Sequence, residues 1–364
     1  MTDTPAVARG SLLAYRVFDA GDTIALDVAE KLVPAARRLA LGGPLVEGLV
    51  IAVRPLEIAL PDCELVIPGI ERPLSARVSA RIFDFGAVSV LYEIPIEPGT
   101  PLAALVPVCA AIYESSVLDA RGAKHRQEIM KMLGPSVAKP HGWEEAESYT
   151  IVFVQELAGV PASSLIDSEL AAKLLLGEPS TKPLNAATRQ DILRNAFSYL
   201  ADDLILIDWN SALVIEPGGS RVVPHVLELA TCQLLEFRYY DGILDGELAR
   251  VYDYVDKAPR IFKSPFRALT RAVLRRFMEL TEFTERVDNA IKWVGDFYLA
   301  RVYLAAIRRS RVPEWRESVE TKLALVSRTY ELLKGEVEVS RTQLLELTVV
   351  ILIVLEILAA FQRH

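Results

Sequence analysis

The sequence predicts an α+β protein: a mixed strand and helix body, then a long antiparallel helical hairpin and a C-terminal apolar helix. Three observations carry this. The first two thirds alternate short apolar runs of strand character with segments whose apolar residues recur three and four apart. From Phe266 onward the apolar steps form a nearly unbroken heptad seam, and the chain closes on "LLELTVVILIVLEIL", apolar on all sides.

At 364 residues and 51% hydrophobic content the chain exceeds one typical domain and can bury a substantial core. In order, "LLAYRVF" reads as a strand and "TIALDVAEKLVPAARRLAL" as a helix. "LVIAVRPLEIAL" and "CELVI" read as extended, and "ARIFDFGAVSVLYEIPI" as a hairpin turning near Gly86. "PLAALVPVCAAIYESSVLDA" starts at Pro101 with the period of a buried helix. A similar order follows. "SYTIVFVQEL" is a strand, "DSELAAKLLLG" a helix capped by Asp167 and stopped by Gly177, and "DDLILIDWNSALVIEPGG" a hairpin turning near Asn210. "VVPHVLELATCQLLEFRYYDG" is the helix after it. The two hairpins, each followed by a Val-Pro pair early in a helix, hint at an internal duplication. The expected divisions are a tail over 1–10, α+β units over 11–145 and 146–259, a basic helix and hairpin stalk over 260–340, and a membrane segment over 341–361.

In the last third the seam runs Phe266, Leu269, Val273, Phe277 and onward to Tyr298 and Val302, stops at "RRSRVPEW", and resumes with Val319, Leu323, Val326, Tyr330, Leu333 and Val337. Two long helices joined by a short proline-bearing turn are expected to pack antiparallel and to self-associate. Between Leu347 and Leu355 every residue except Thr348 is a large aliphatic. Such a helix must be surrounded, either by lipid or by a protein bundle, and the stretch from Leu344 to Phe361 is just long enough to cross a bilayer. Glu346 and Glu356 fall on broadly one side, where a partner helix could cover them. In "RIFKSPFRALTRAVLRRFM" the cations Arg260, Lys263, Arg267, Arg271 and Arg275 recur opposite an apolar face, the layout of a helix in an anionic interface or of a solvated bundle helix. Positive charge there predicts a single-pass anchor with the body in the cytoplasm. The amino terminus has no basic segment leading an apolar run, so no secretory signal is expected.

The formal net charge of −8 argues against broad electrostatic binding of nucleic acid. Three scattered cysteines suggest neither disulfides nor a zinc site. No phosphate-loop, dinucleotide-binding, zinc-protease or serine-hydrolase pattern is present, so no cofactor and no metal are expected. His225, with Glu228 three residues on, has the spacing to pair with a carboxylate. Asp208 could bind a ligand or metal if it converged with Asp84 of the other hairpin; acids at strand ends also serve as caps and turn formers. Arg308, Arg309, Arg311 and Arg316 gather around Trp315, a composition suited to phosphate or to a solvated tip.

The C-terminal third, "VPEWRESVETKLALVSRTYELL" followed by "LLELTVVILIVLEIL", resembles the end of the required-for-meiotic-nuclear-division proteins, a domain-of-unknown-function family in bacteria, fungi and animal mitochondria. "DDLILIDWNSALV" with "HVLELATCQLLEF" is similar to the family's middle block. One family signature is reduced here to Val312-Pro313-Glu314-Trp315. The resemblance implies a membrane-associated protein without assigned catalytic residues. Two functions are therefore carried forward: a membrane-anchored scaffold that self-associates through its stalk, in contact with lipid and with an unknown protein partner, and an enzyme or ligand-binding protein with a site near Asp84, Asp208 and His225. A soluble oligomer that buries its tails in a helical bundle is the third.

Overall fold

The computed structural model describes residues 4–39, 53–257, 297–329 and 348–353, with Arg275, Met278 and Thr281. The fold is mixed α and β, as the alternating patterns require. Among the described residues the strands are β1 (Ala6–Asp19), β2 (Gly21–Ile24), β3 (Arg37–Arg38), β4 (Leu56–Leu65), β5 (Leu74–Ile82), β6 (Ala87–Pro95), β7 (Thr100–Pro101), β8 (Val137–Pro140), β9 (Ala146–Ala158), β10 (Ala196–Phe197), β11 (Leu204–Ile207) and β12 (Ser211–Ile215). The helices used below are α1 (Leu26–Leu32), α2 (Leu105–Tyr113), α3 (Ser116–Leu133), α4 (Glu169–Leu176), α5 (Ala186–Ile192), α6 (Val222–Lys257) and α7 (Phe297–Arg309). Residues 312–329 are also helical.

Ten strands form one sheet in the order β10-β11-β12-β9-β1-β6-β5-β4-β3, with β7 paired to β1, while β2 and β8 make a separate ribbon. Strand β1 is antiparallel to β6 on one side and to β9 on the other. Its residues from Leu12 to Phe18 are all buried, so both faces of the sheet are covered. Leu12, Ala14 and Phe18 point into a core shared with Leu105, Cys109 and Ile112 of α2, Leu118 and Ile129 of α3, and Ala171 and Leu175 of α4. By alternation Leu13, Tyr15 and Val17 face the other way, toward the first half of α6. The two are joined there by Arg81 of β5 to Glu228 and by Arg238 to Glu147 of β9. Tyr303 of α7 donates to Gln233 of α6.

Segments 11–145 and 146–259 contribute strands to this single sheet: the expected boundary at 145/146 falls between β8 and β9, and β9 pairs with β1 from Ala6 opposite Ala158 to Phe18 opposite Ala146. Both expected hairpins form, yet β6 joins β1 antiparallel whereas β12 joins β9 parallel. Two compact units divide the chain: residues 1–239 with 283–315, and residues 240–282 with 316–364. In the second unit, Asp241 and Asp245 of α6 hold Lys322 at 2.8 and 2.6 Å, and Ser318 donates to Asp241. Val319, Leu323 and Val326, three steps of the heptad seam, are buried.

Several element ends differ from the sequence expectation for identifiable reasons. The first helix stops at Leu32 because Pro34 disfavours helical geometry at Val33, which is extended at φ −115. The long buried helix breaks where the Ser115 side chain accepts from Leu118 N and starts α3 afresh. Ser168, not Asp167, caps α4, and Gly177 ends it in the left-handed region as expected. The interruption at "RRSRVPEW" is a turn in which Arg311 takes φ +58, and the helix resumes at Val312 with Pro313 in its first turn. Arg275 is helical and exposed, whereas Arg260, Lys263, Arg267, Arg271, Glu346 and Glu356 lie outside the described residues.

The β5–β6 turn tests the packing directly. At Gly86, φ is +104 and an added Cβ would stand 1.9 Å from the Gly21 carbonyl oxygen. Gly86→Ala is expected to cost about 3 kcal/mol or more, read as a lower urea midpoint at unchanged slope. Gly69→Ala, with φ +87 but nothing within 4 Å of the new atom, is expected to cost only about 1 kcal/mol.

Candidate functional site

The site is built by strand register. Because β4, β5, β6 and β1 are consecutive neighbours, three cross-strand rows lie on the face that α6 approaches: Arg77, Glu93 and Leu13; Ser79, Leu91 and Tyr15; and Glu57, Arg81, Ser89 and Val17. These rows bring two carboxylates, Glu57 and Glu93, and two guanidinium groups, Arg77 and Arg81, onto one patch of this face. Helix α6 starts above it. Gly219 turns the chain out of β12 at φ +70, the Ser220 hydroxyl accepts from Val222 N, and His225 N bonds the Arg221 carbonyl to open the first turn. Between helix start and sheet is a pocket of about 290 Å³ lined by Tyr15, Glu57, Ser79, Arg81, Leu91, Glu93 and Arg221, with Leu39, Gly219, Val222 and Pro224 closing it.

Arg81 is its central charge. It is 7% exposed and its Nη1 is bound by Glu228 of α6, a fully buried carboxylate. Burial alone would raise Glu228, but the Arg81 guanidinium and His225 more than offset it and hold its carboxyl below the usual range. Burial acts to lower Arg81, and the charges of Glu228 and Glu57 outweigh it, so Arg81 stays cationic. The other nitrogens of Arg81 are less engaged: Nη2 is 3.6 Å from Glu57, too far for a hydrogen bond, and Nε has no protein partner. On the opposite wall Glu93 accepts from Arg221 at 2.6 Å and from Ser11 at 3.2 Å. Arg221 also lies over the Phe153 ring, 4.3 Å from its centroid.

Of the three residues singled out in the sequence, His225 stands beside this cluster, its Nδ1 3.3 Å from Glu228 and its ring stacked on Phe83. Asp208 is elsewhere. Its carboxylate takes the Arg309 Nε at 2.7 Å, and Arg309 reaches Asp191 of α5 at 3.0 Å, so the acid fastens α7 to the β11–β12 turn. Asp84 sits in the β5–β6 turn, its carbonyl accepting from Ile24 N. Strands β9 and β1 intervene between the two hairpins, a separation of at least about 14 Å at 4.7–4.9 Å per strand. The expected convergence of Asp84 with Asp208 is thus replaced by separate structural roles for the two turns. Among the described residues no group of three or more His, Cys, Asp or Glu side chains is placed to hold a metal ion. The arginine-rich turn is largely spoken for as well: Arg309 by its acids, Arg311 by Glu314 at 3.7 Å, and Trp315 by Arg238.

Arg81, Glu57, Glu93 and Arg221 were missed by sequence reasoning. The available signal was "LSARVSARI", in which Arg77 and Arg81 share one face of an otherwise apolar strand.

A second buried polar cluster joins β1 to α6. Asp19 lies 3.1 Å from His141 Nε2, and the His141 ring stacks on Tyr239 at 4.3 Å. Burial raises the Asp19 carboxyl against the hydrogen bond from His141. Burial, then the charges of Asp19 and Asp22, raise Glu236 well above the carboxylate range.

The two clusters titrate with opposite signs. Glu228 has a depressed folded-state value, so its contribution is complete above about pH 4.3, its unfolded value, and is lost as pH falls through the lower folded value. Arg81→Leu strands that carboxylate and is expected to cost about 3–5 kcal/mol at pH 7 in chemical denaturation. Glu236 has a raised value, so it favours the folded state least once pH exceeds the folded value. Glu236→Gln is therefore expected to stabilise the protein by about 1 kcal/mol at pH 8 and to have no such benefit at pH 4, measured as the pH dependence of the urea midpoint.

Comparison with known proteins was made on this background. The uncharacterized protein MJ0711 of Methanocaldococcus jannaschii is 23% identical over 218 residues, which cover 60% of this chain and 66% of that protein, just under two thirds of its length. No solved structure matches the chain. Residues 9–221 match the family described as the N-terminal domain of uncharacterized protein MJ0711, and this span includes all of the pocket's lining except Val222 and Pro224. By that match over more than half its length, the chain belongs to the MJ0711 N-terminal domain family, a domain of unknown function.

Proposed function

We propose that the protein is a membrane-anchored scaffold that holds its α+β body at the cytoplasmic face and self-associates through its C-terminal helices. The observation that carries this reading is the state of residues 349–353. Val349, Val350, Ile351, Leu352 and Ile353 are consecutive helical residues, and each is at least half exposed. Five successive helical positions cover every direction around the axis, so no single packed face can account for them. Leaving them in water forgoes about 4–8 kcal/mol at 1.5–3 kcal/mol per fully buried side chain. Lipid supplies what the described residues do not. The apolar sequence on either side of this stretch lies outside the described residues.

Among the described residues no single helix is long and apolar enough to cross a membrane. Helices α2 and α3 reach the required apolarity together but are bent by 55°, and their apolar residues pack in the body's core. The anchor in this proposal is therefore the tail, 341–361, with the basic segment around the exposed Arg275 at its cytoplasmic edge. The likeness of the last third to the required-for-meiotic-nuclear-division proteins supports the same reading, because that likeness implies membrane association.

Fractionation tests it. Full-length protein is expected in the membrane pellet after a high-salt wash and in the supernatant only after detergent, and a chain truncated after Glu338 is expected to remain soluble without detergent. Recovery of the full-length chain as a detergent-free soluble oligomer would instead place its tails in a protein bundle and end the membrane reading.

A further inference from the structure

We infer that the pocket at the start of α6 is a binding site for a small zwitterion, a free amino acid or a molecule of that size bearing one carboxylate and one ammonium. This goes beyond the anchoring role and does not depend on it. A volume of about 290 Å³ equals roughly ten water molecules at ~30 Å³ each and lies at the small end of ligand sites.

The recognising groups are only partly engaged within the protein. With Nη1 of Arg81 held by Glu228, the guanidinium is fixed in orientation, and Nε and Nη2, which point to the same side, have no hydrogen-bonded protein partner. That edge is the fork that takes a carboxylate through two parallel bonds, once a small shift of the side chain uncovers the enclosed Nε. An arginine so deeply buried with an unpartnered Nε is incomplete without an acceptor. The α6 terminus at Val222 and Pro224 adds the positive end of a long helix to the same wall.

Charge balance then selects the rest of the ligand. Glu57 of β4 is cross-strand from Arg81, is 37% exposed at its side chain, and among the described residues has only the long 3.6 Å approach to that arginine. It is the open acceptor for an ammonium. Glu93 and Arg221 already neutralise each other, so a phosphate or dicarboxylate would meet the open carboxylate of Glu57 and a lone cation would meet Arg81; a zwitterion satisfies both signs. Leu39, Leu91 and Val222 offer the apolar contact for a side chain of modest size.

The test uses full-length protein in detergent, so that the location of the tail does not enter. Thermal unfolding and titration calorimetry are run with each of the twenty free amino acids, and with acetate, inorganic phosphate and ethylamine as single-charge probes. At least one amino acid is expected to raise Tm by about 2 °C at ten times its Kd, while acetate, phosphate and ethylamine leave it unchanged. Glu57→Gln, chosen because its loss exposes no buried charge, is expected to weaken that amino acid by about tenfold or more with an unaltered far-UV spectrum. A panel in which no amino acid binds overturns the inference. So does acetate or phosphate acting as strongly as any amino acid, or undiminished affinity in a folded Glu57→Gln variant.

Discussion

Strand β1 has no free side, and the body depends on that constraint. It is hydrogen-bonded along both edges and buried on both faces. The polar residues of its buried stretch therefore need partners within the protein. Arg16 illustrates this at the α3 face: 1% exposed, it bonds Asp119 at 2.6 Å and the Ile112 and Tyr15 carbonyls. On the opposite face the same requirement produces the Arg81, Glu228 and His225 cluster. Alternation along one strand thus assigns a structural ion pair to one layer and a ligand-shaped hollow to the other.

What the sequence revealed follows from the range of the signals it contains. Both hairpins, the strand around Ile151 and the stop at Gly177 are local, fixed by alternation and by one glycine, and all are found where expected. The pairing of His225 with Glu228 is also local, three residues apart on one helix. What local spacing could not reveal is which strand lies beside which. The parallel addition of β12 to β9, which keeps Asp208 away from Asp84, is settled by sheet order, and nothing in "DDLILIDWNSALV" encodes it. The same holds for Glu57 and Arg81: adjacent in the sheet, they are remote in the chain and carry no shared motif.

The Asp208 environment shows how such order is enforced. Tyr149 of β9 donates to the carbonyls of Asp208 and Ser211, and Ser211 Oγ donates to Leu175 at the end of α4. Arg309 closes the arrangement from α7. An acid that looks catalytic in sequence is here the point at which a strand turn, a preceding helix and a returning C-terminal helix are fastened together. Its conversion to Asn would weaken that fastening before it touched any chemistry.

The division into units has a mechanical corollary. Because each unit is assembled from two separate stretches, the peptide chain passes between them three times, after residues 239, 282 and 315. Cleavage at any one of these crossings leaves the other two covalent connections in place. Separation by proteolysis would need three cuts, so the two units should stay covalently linked through the first nick and the second.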